Sequence, residues 1–248
     1  MKSLFRSLFA AAVAIAAFSA GTAHAQSFTP QQRGEIETII REYFIKHPEM
    51  IEELQALAQT EKMKRVITEH KDVLLNSPRQ VTLGNPKGDV TLVEFFDYNC
   101  GYCKRALDDM MTLLKNDPNL RIVLKEMPVL SQGSMEAAQV AAALTMQDKS
   151  GKRYLDFHQR LLGGRGQADK ARALAVAKDV GVDMTRLEKD MTSPEVKAAL
   201  EESFKLAEAF SIQGTPSYVI GNEVLVGAVG LKELQSKINS ARCGKATC

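Results

Sequence analysis

An α/β fold is predicted, with a strand-led sheet, a block of helices inserted between its two halves and a helical segment in front. Three observations predict it. The strand-like run 91–98 ends at Cys100-Gly101-Tyr102-Cys103; the stretch from about 131 to 210 reads as successive helices; and Gln213-Gly214-Thr215-Pro216 leads into a second β-branched and aromatic run, 217–220, with Gly221-Asn222 as a hairpin turn.

The elements follow in order. Lys2 and Arg6 precede the apolar run 8–20, and Ala23-His24-Ala25 supplies the small residues of a cleavage site, so residues 1–25 read as a secretory signal cleaved after Ala25. The run is short for a bilayer span, and no later segment approaches 18 uninterrupted apolar residues. A soluble exported protein is expected, in a bacterial periplasm, where thiols meet disulfides. Residues 26–79 read as a helical, oligomerising segment. Thr29 caps a helix with Pro30 in its first turn, and Ile36, Ile39, Ile40, Tyr43 and Phe44 recur at helical spacing. His47-Pro48 breaks this helix and opens another bearing Ile51, Leu54, Leu57 and Ala58, then Val66 and Ile67.

The catalytic domain is placed at 80–242. Strands are expected at 81–83, through 91–98 and at 121–125, and helices at 134–145, 152–162, 168–180 and 193–210, followed by the 217–220 strand and a final helix. Residues 243–248 form a tail carrying Cys243 and Cys248.

Composition limits the function classes. The precursor of 248 residues carries 32 Lys+Arg against 30 Asp+Glu, a formal charge of +2. Loss of Lys2 and Arg6 with the signal leaves the mature chain formally neutral. A nucleic-acid surface, which needs a basic patch, is not expected. Of the histidines, His47, His70 and His158 survive signal removal, and none has ligand spacing to another; surface or partly packed positions are expected for them. Gly163-Gly164-Arg165-Gly166 lacks the Lys-Ser/Thr ending of a phosphate loop and reads as a connection.

The chemistry-bearing residues are the cysteines. If a helix begins at Cys100, its unpaired amides and dipole stabilise a thiolate there, making Cys100 the nucleophile. Cys103, about one turn on, can then attack a mixed disulfide on Cys100 and resolve it. The spacing alone leaves open a structural disulfide, half of a zinc site or two unrelated buried thiols. Thr215-Pro216 alone reads as an ordinary trans proline at a strand start.

The combination is more specific. The block Glu94-Phe95-Phe96-Asp97-Tyr98-Asn99-Cys100-Gly101-Tyr102-Cys103 and Gly214-Thr215-Pro216, in this order of elements, resembles the DsbA family of thiol:disulfide oxidoreductases, of thioredoxin-like fold with a helical insertion, and within it the ScsC (suppressor of copper sensitivity) type. The resemblance implies a cis Thr215-Pro216 bond facing the cysteines and clamping substrate. It places Glu94 as a buried acid beneath Cys103, with Lys125 as a candidate partner, and makes Gly101 and Tyr102 the residues that tune the centre. It implies exported protein substrates and a membrane redox partner, either a ScsB- or DsbD-like reductant or a DsbB-like oxidant. It also implies a homotrimer built through the N-terminal helices, the alternative being that these helices pack on their own domain. Isomerase or reductase is favoured over dithiol oxidase, partly because Thr215 precedes the proline. Potentials across such folds span roughly −270 to −120 mV, so the fold leaves the direction of electron flow open. A non-catalytic copper-binding or holdase protein is the other class. No cofactor is expected beyond the Cys100-Cys103 pair, although its soft thiolates suit Cu(I). For Cys243 and Cys248 a local disulfide is expected, with a relay to the active-site pair or a four-thiolate metal site as further readings.

Overall fold

The computed structural model describes residues 28–148 and 150–248; the expected signal, 1–25, lies outside them. The described residues fall into two compact units that divide between Glu53 and Leu54.

The first unit contains α1 (Pro30–Lys46) and the start of α2 (Glu49–Asn76). A capping box starts α1: the Thr29 hydroxyl accepts the Gln32 N–H and the Gln32 side chain accepts the Thr29 N–H, with Pro30 in the first turn. No residue of α1 is buried, and Ile39, Ile40, Tyr43 and Ile45 stand exposed.

The second unit holds a five-stranded sheet in the order β1-β3-β2-β4-β5. Its strands are β1 (Val81–Gly84), β2 (Val90–Phe96), β3 (Leu120–Glu126), β4 (Ser217–Ile220) and β5 (Glu223–Val226). β2 and β3 run parallel and the other pairs antiparallel. The parallel pair is linked by α3 (Gly101–Asn116) and is covered on both faces, which is why β2 reads as a mostly apolar run broken by Thr91 and Glu94. Between β3 and β4 lie α4 (Gln132–Thr145), α5 (Lys152–Gly163), α6 (Lys170–Asp179), α7 (Met184–Asp190) and α8 (Pro194–Ala209); α9 (Leu231–Cys243) closes the fold. Sequence periodicity missed α7 because seven residues with one buried side chain, Leu187, show no stripe; its signal is the Asp183 cap.

Two cores sandwich the sheet. Leu92 and Phe96 face one that includes Cys103, Met110 and Ile238, while Val93 and Phe95 face another built with Ile67, Leu74, Leu206 and Phe210. The expected N-terminal segment 26–79 is therefore divided: Ile67 and Leu74 of α2 belong to the second unit's core.

This face assignment corrects the expected Glu94–Lys125 pair. In the register of β2 and β3, Glu94 sits opposite Leu124, and Lys125 sits opposite Phe95. Alternation sends Lys125 to the face of Phe95, away from Glu94. There its Nζ donates to Glu202 Oε1 at 3.1 Å and to the Val73 carbonyl at 3.0 Å. Burial lowers the Lys125 pKa, and the Glu202 carboxylate opposes that shift. His158 also differs from expectation. It is fully buried in α5, with ring centroids 4.7 Å from Phe96 and 5.5 Å from Tyr98.

Truncation of a fully packed leucine leaves a cavity, so Leu74→Ala should cost about 2–5 kcal/mol, read by urea denaturation. An Ile39→Ser change at an exposed position of α1 should leave the unfolding of the second unit within about 0.5 kcal/mol.

Candidate active site

The end of β2 is turned by one carboxylate. Asp97 Oδ1 accepts the Asn99 N–H at 2.8 Å, and Oδ2 accepts the Val129 and Leu130 N–H groups at 2.9 and 3.0 Å. The Cys100 N–H bonds the Asp97 carbonyl at 3.0 Å, which closes the turn and leaves Cys100 as the N-cap of α3. Its sulfur accepts the Cys103 N–H at 3.4 Å, taking the place of a serine or aspartate cap oxygen.

Opposite it, the Thr215-Pro216 bond is cis. The Cys100 thiol donates to the Thr215 carbonyl at 3.2 Å, so the proline loop and the helix terminus meet at this sulfur. Both thiols are unbonded and buried, Cys100 at 6% and Cys103 at 0% exposure, so a partner can reach only Cys100. Gly101 and Tyr102 are exposed, and the Arg105 guanidinium lies 4.2 Å from the centre of the Tyr102 ring.

Glu94 lies on the α3 face of β2, and burial, with the Asp109 charge adding, raises its pKa to about 8. Burial likewise pushes the Cys103 thiol well up, and the Glu94 charge contributes in the same direction. Across the strand, Tyr218 sits opposite Glu94, and its hydroxyl is also held protonated by burial.

Asn99 is a site residue that sequence reading passed over. Its Oδ1 accepts the Ala168 N–H at 2.7 Å, and its Nδ2 donates to the Ala168 carbonyl at 2.8 Å and to Ser134 Oγ at 3.0 Å. One side chain thus fastens the connection between α5 and α6 beside Cys100. Gly163-Gly164-Arg165-Gly166 opens that connection, and its Gly164 and Gly166 wall a cavity of about 410 Å³ that Cys100, Tyr98, Lys104 and Gln167 also line. Gly164 is required there, since a Cβ would lie 2.7 Å from the Arg160 carbonyl.

Tyr98 opens onto a buried polar chain. Its hydroxyl donates to Tyr154 Oη at 3.2 Å, and Tyr154 donates to Glu126 Oε1 at 2.6 Å, while His158 Nδ1 lies 3.4 Å from Tyr98 Oη. Burial raises the Glu126 pKa and lowers that of His158 to about 3, so the imidazole is neutral at ordinary pH. No spacing rule in the sequence announces these contacts, because they join α5 to β3 and the site turn.

Cys243 and Cys248 form a disulfide, with Cα atoms 6.2 Å apart. Arg242 beside it makes a two-pronged pair with Asp89 at 2.7 and 2.8 Å and reaches Asp117, the C-cap of α3, at 2.9 Å. The pair therefore stands at the far end of a 16-residue helix from Cys100, about 24 Å away. Among the described residues no group of three or more His, Cys, Asp and Glu side chains is arranged to hold a metal ion, and the cysteines outside a disulfide are Cys100 and Cys103. Nor is any described helix long and apolar enough to cross a membrane.

A C-x-x-C pair capping the helix after a central strand, with a cis-proline loop against the first sulfur, defines a thioredoxin-like dithiol centre. The chain belongs to the DSBA-like thioredoxin domain family, whose pattern it matches over residues 91–239. A thioredoxin-like oxidoreductase from Silicibacter pomeroyi is 43% identical, covering 69% of this chain and 96% of that one with a TM-score of 0.65. A linker-deletion mutant of Proteus mirabilis ScsC is 26% identical, covers 88% and 98%, and gives a TM-score of 0.70. The thiol:disulfide interchange protein DsbA of Bordetella pertussis is 27% identical over 149 residues, 57% of this chain and 68% of that one. The chain also matches the Na(+)/H(+) antiporter NhaA 1 of Salinispora arenicola at 25% identity, with 69% of this chain aligned to 26% of the antiporter's length.

Two outcomes follow. The folded-state pKa of Glu94, about 8, lies above its ordinary value of 4.5, so ionising Glu94 opposes folding: no penalty exists below pH 4.5, and one grows as pH rises from 4.5 to 8. Glu94→Gln should thus match the reduced wild type near pH 4.5 and gain roughly 3–5 kcal/mol over it at pH 8, measured by urea denaturation. Asn99→Ala should destabilise by about 1–3 kcal/mol and speed amide hydrogen exchange in residues 163–168 first.

Proposed function

We propose that this protein is a periplasmic thiol:disulfide oxidoreductase acting on the disulfides of exported proteins, and that it works as an isomerase or reductase. The observation that carries the reading is the Cys100 sulfur, seated on the N-terminus of α3 and 3.2 Å from the carbonyl before cis-Pro216. A helix N-terminus favours negative charge, which suits a thiolate at Cys100. That thiolate attacks one sulfur of a substrate disulfide; the S–S bond breaks, and the other substrate sulfur leaves as a thiolate. Cys103, giving its proton to the Glu94 carboxylate, then attacks the Cys100 sulfur, forming the Cys100–Cys103 disulfide and releasing the second substrate thiol. Glu94, with its pKa near 8, exchanges protons close to ambient pH, while Thr215 and Pro216 hold the extended substrate and Gly101 and Tyr102 set the stability of the thiolate. In isomerisation the released thiolate attacks a second substrate disulfide and frees a different thiolate, which attacks the mixed disulfide before Cys103 does; a new substrate disulfide forms, Cys100 leaves as the thiolate and the protein returns reduced.

The isomerase or reductase preference draws on Thr215 before the proline and on the exposed Ile39, Ile40, Tyr43 and Ile45 of α1. An apolar set of this kind suits burial in a homotrimer, which would gather several dithiol centres around one client. A ScsB- or DsbD-like membrane reductant would keep the pair reduced. Dithiol oxidase is the competing role, favoured by the likeness to the protein named DsbA and served by a DsbB-like oxidant.

Reduction of insulin disulfides should fall by at least about 10³-fold in Cys100→Ser, whereas Cys103→Ala should accumulate mixed disulfides at Cys100, seen on non-reducing gels. Full activity in Cys100→Ser would overturn the assignment. Acid quenching and alkylation in cells then separates the roles: a reduced Cys100/Cys103 pair supports isomerase or reductase, and an oxidised pair supports oxidase.

A further inference from the structure

The cavity beside Cys100 has a wall that the exchange chemistry does not use. Neither Thr215 nor Pro216 lines it; it meets the proline clamp at Cys100, which borders both. Its boundary is the α5–α6 connection, brought to Cys100 by the Asn99 bonds to Ala168 and by Lys104, whose Nζ donates to the Gly164 carbonyl at 2.5 Å. The charged residue in its lining, Lys104, is a cation. Arg165 stands exposed between its lining residues Gly164 and Gly166, and no Asp or Glu lines the cavity. Among the described residues neither of these two cations forms an ion pair. The nearby carboxylates are otherwise engaged: Asp97 accepts three backbone N–H groups, and Asp169 caps α6 through the Arg172 N–H. Asp108, one turn beyond Lys104, is the exposed exception.

We infer that residues 164–167, Arg165 among them, with Lys104 form a specificity wall that favours disulfides flanked by carboxylate-bearing residues. A polypeptide under attack at Cys100 can lie on cis-Pro216 with its backbone on one side and place its side chains against the cationic wall on the other. An acidic neighbour of the reacting cysteine then meets unpaired cations with no competing carboxylate in the lining. Such long-range attraction chiefly speeds encounter and falls with ionic strength. Arg165 sits between two glycines at the exposed tip of the connection, where its substitution removes charge without touching the core. The inference rests on the exchange reading given above.

The test uses the full mature chain, reduced, with two disulfide-linked model peptides that differ only in Glu or Gln on either side of each cysteine. Exchange is quenched with acid and followed by alkylation mass shift. The acidic peptide should react about three- to tenfold faster than the neutral one at about 20 mM salt, and the ratio should shrink towards one near 0.5 M salt. In Arg165→Gln the low-salt ratio should fall by about threefold. Equal rates for the two peptides, a ratio insensitive to salt, or a ratio unchanged in Arg165→Gln would overturn the inference while leaving the exchange reading intact. Failure to reduce either peptide would instead overturn the exchange reading.

Discussion

The site depends on the Asp97 carboxylate. By accepting N–H groups from Asn99 on its own turn and from Val129 and Leu130 beyond β3, it ties the ends of the two parallel strands and sets where the chain leaves the sheet. A charged acceptor with three donors is among the stronger arrangements a protein interior offers. Because that exit is fixed, α3 begins at Cys100, the sulfur becomes the helix cap, and the Cys103 thiol falls one turn inside, against the sheet. The same turn presents Asn99 to the helical insertion and Tyr98 to the buried Tyr154–Glu126 chain. The sulfur chemistry and the docking of the insertion are thus set by a single bend.

Burial then divides the two thiols. Both sit on the core, yet only Cys100 keeps any exposed surface and lies at a helix terminus opposite a proline loop. Cys103 is enclosed with Glu94; burial raises the proton affinity of both, and the Glu94 charge adds to it at Cys103 as the Asp109 charge does at Glu94. The cation expected to relieve Glu94, Lys125, is committed to Glu202 on the opposite face of β3. A carboxyl left without a cation keeps its proton to higher pH, which suits a group that passes a proton to and from a neighbouring thiol.

Much of this was legible in the sequence wherever local pattern and tertiary demand agree. The run 91–98, the Cys100/Cys103 spacing, the Thr29-Pro30 helix start and the Gly221-Asn222 turn each name their structure because the residue types are those that strands, helix starts and tight turns need. The cis state of Thr215-Pro216 came through the family resemblance, since most X-Pro bonds are trans. What escaped was set by register and by long-range contact. Whether Lys125 meets Glu94 turns on a one-residue offset between two strands. The burial of His158 depends on Phe96 and Tyr98, some 60 positions earlier in the chain, and Asn99 finds Ala168 across a similar gap. The glycines at 163–166 advertised a connection, but only the fold shows that it borders Cys100.

The central claim is that Cys100 and Cys103 act as one two-electron couple whose exposed member is Cys100. Equilibration of the purified chain in glutathione buffers of graded poise, followed by acid quench, alkylation and peptide mass analysis, tests it most directly. The account predicts that both cysteines become unreactive to alkylation together as the buffer turns oxidising, along a curve with n of about 2, and that limiting alkylating agent modifies Cys100 first in the reduced protein. Independent titration of the two thiols, or no Cys100–Cys103 disulfide at any poise, would contradict it.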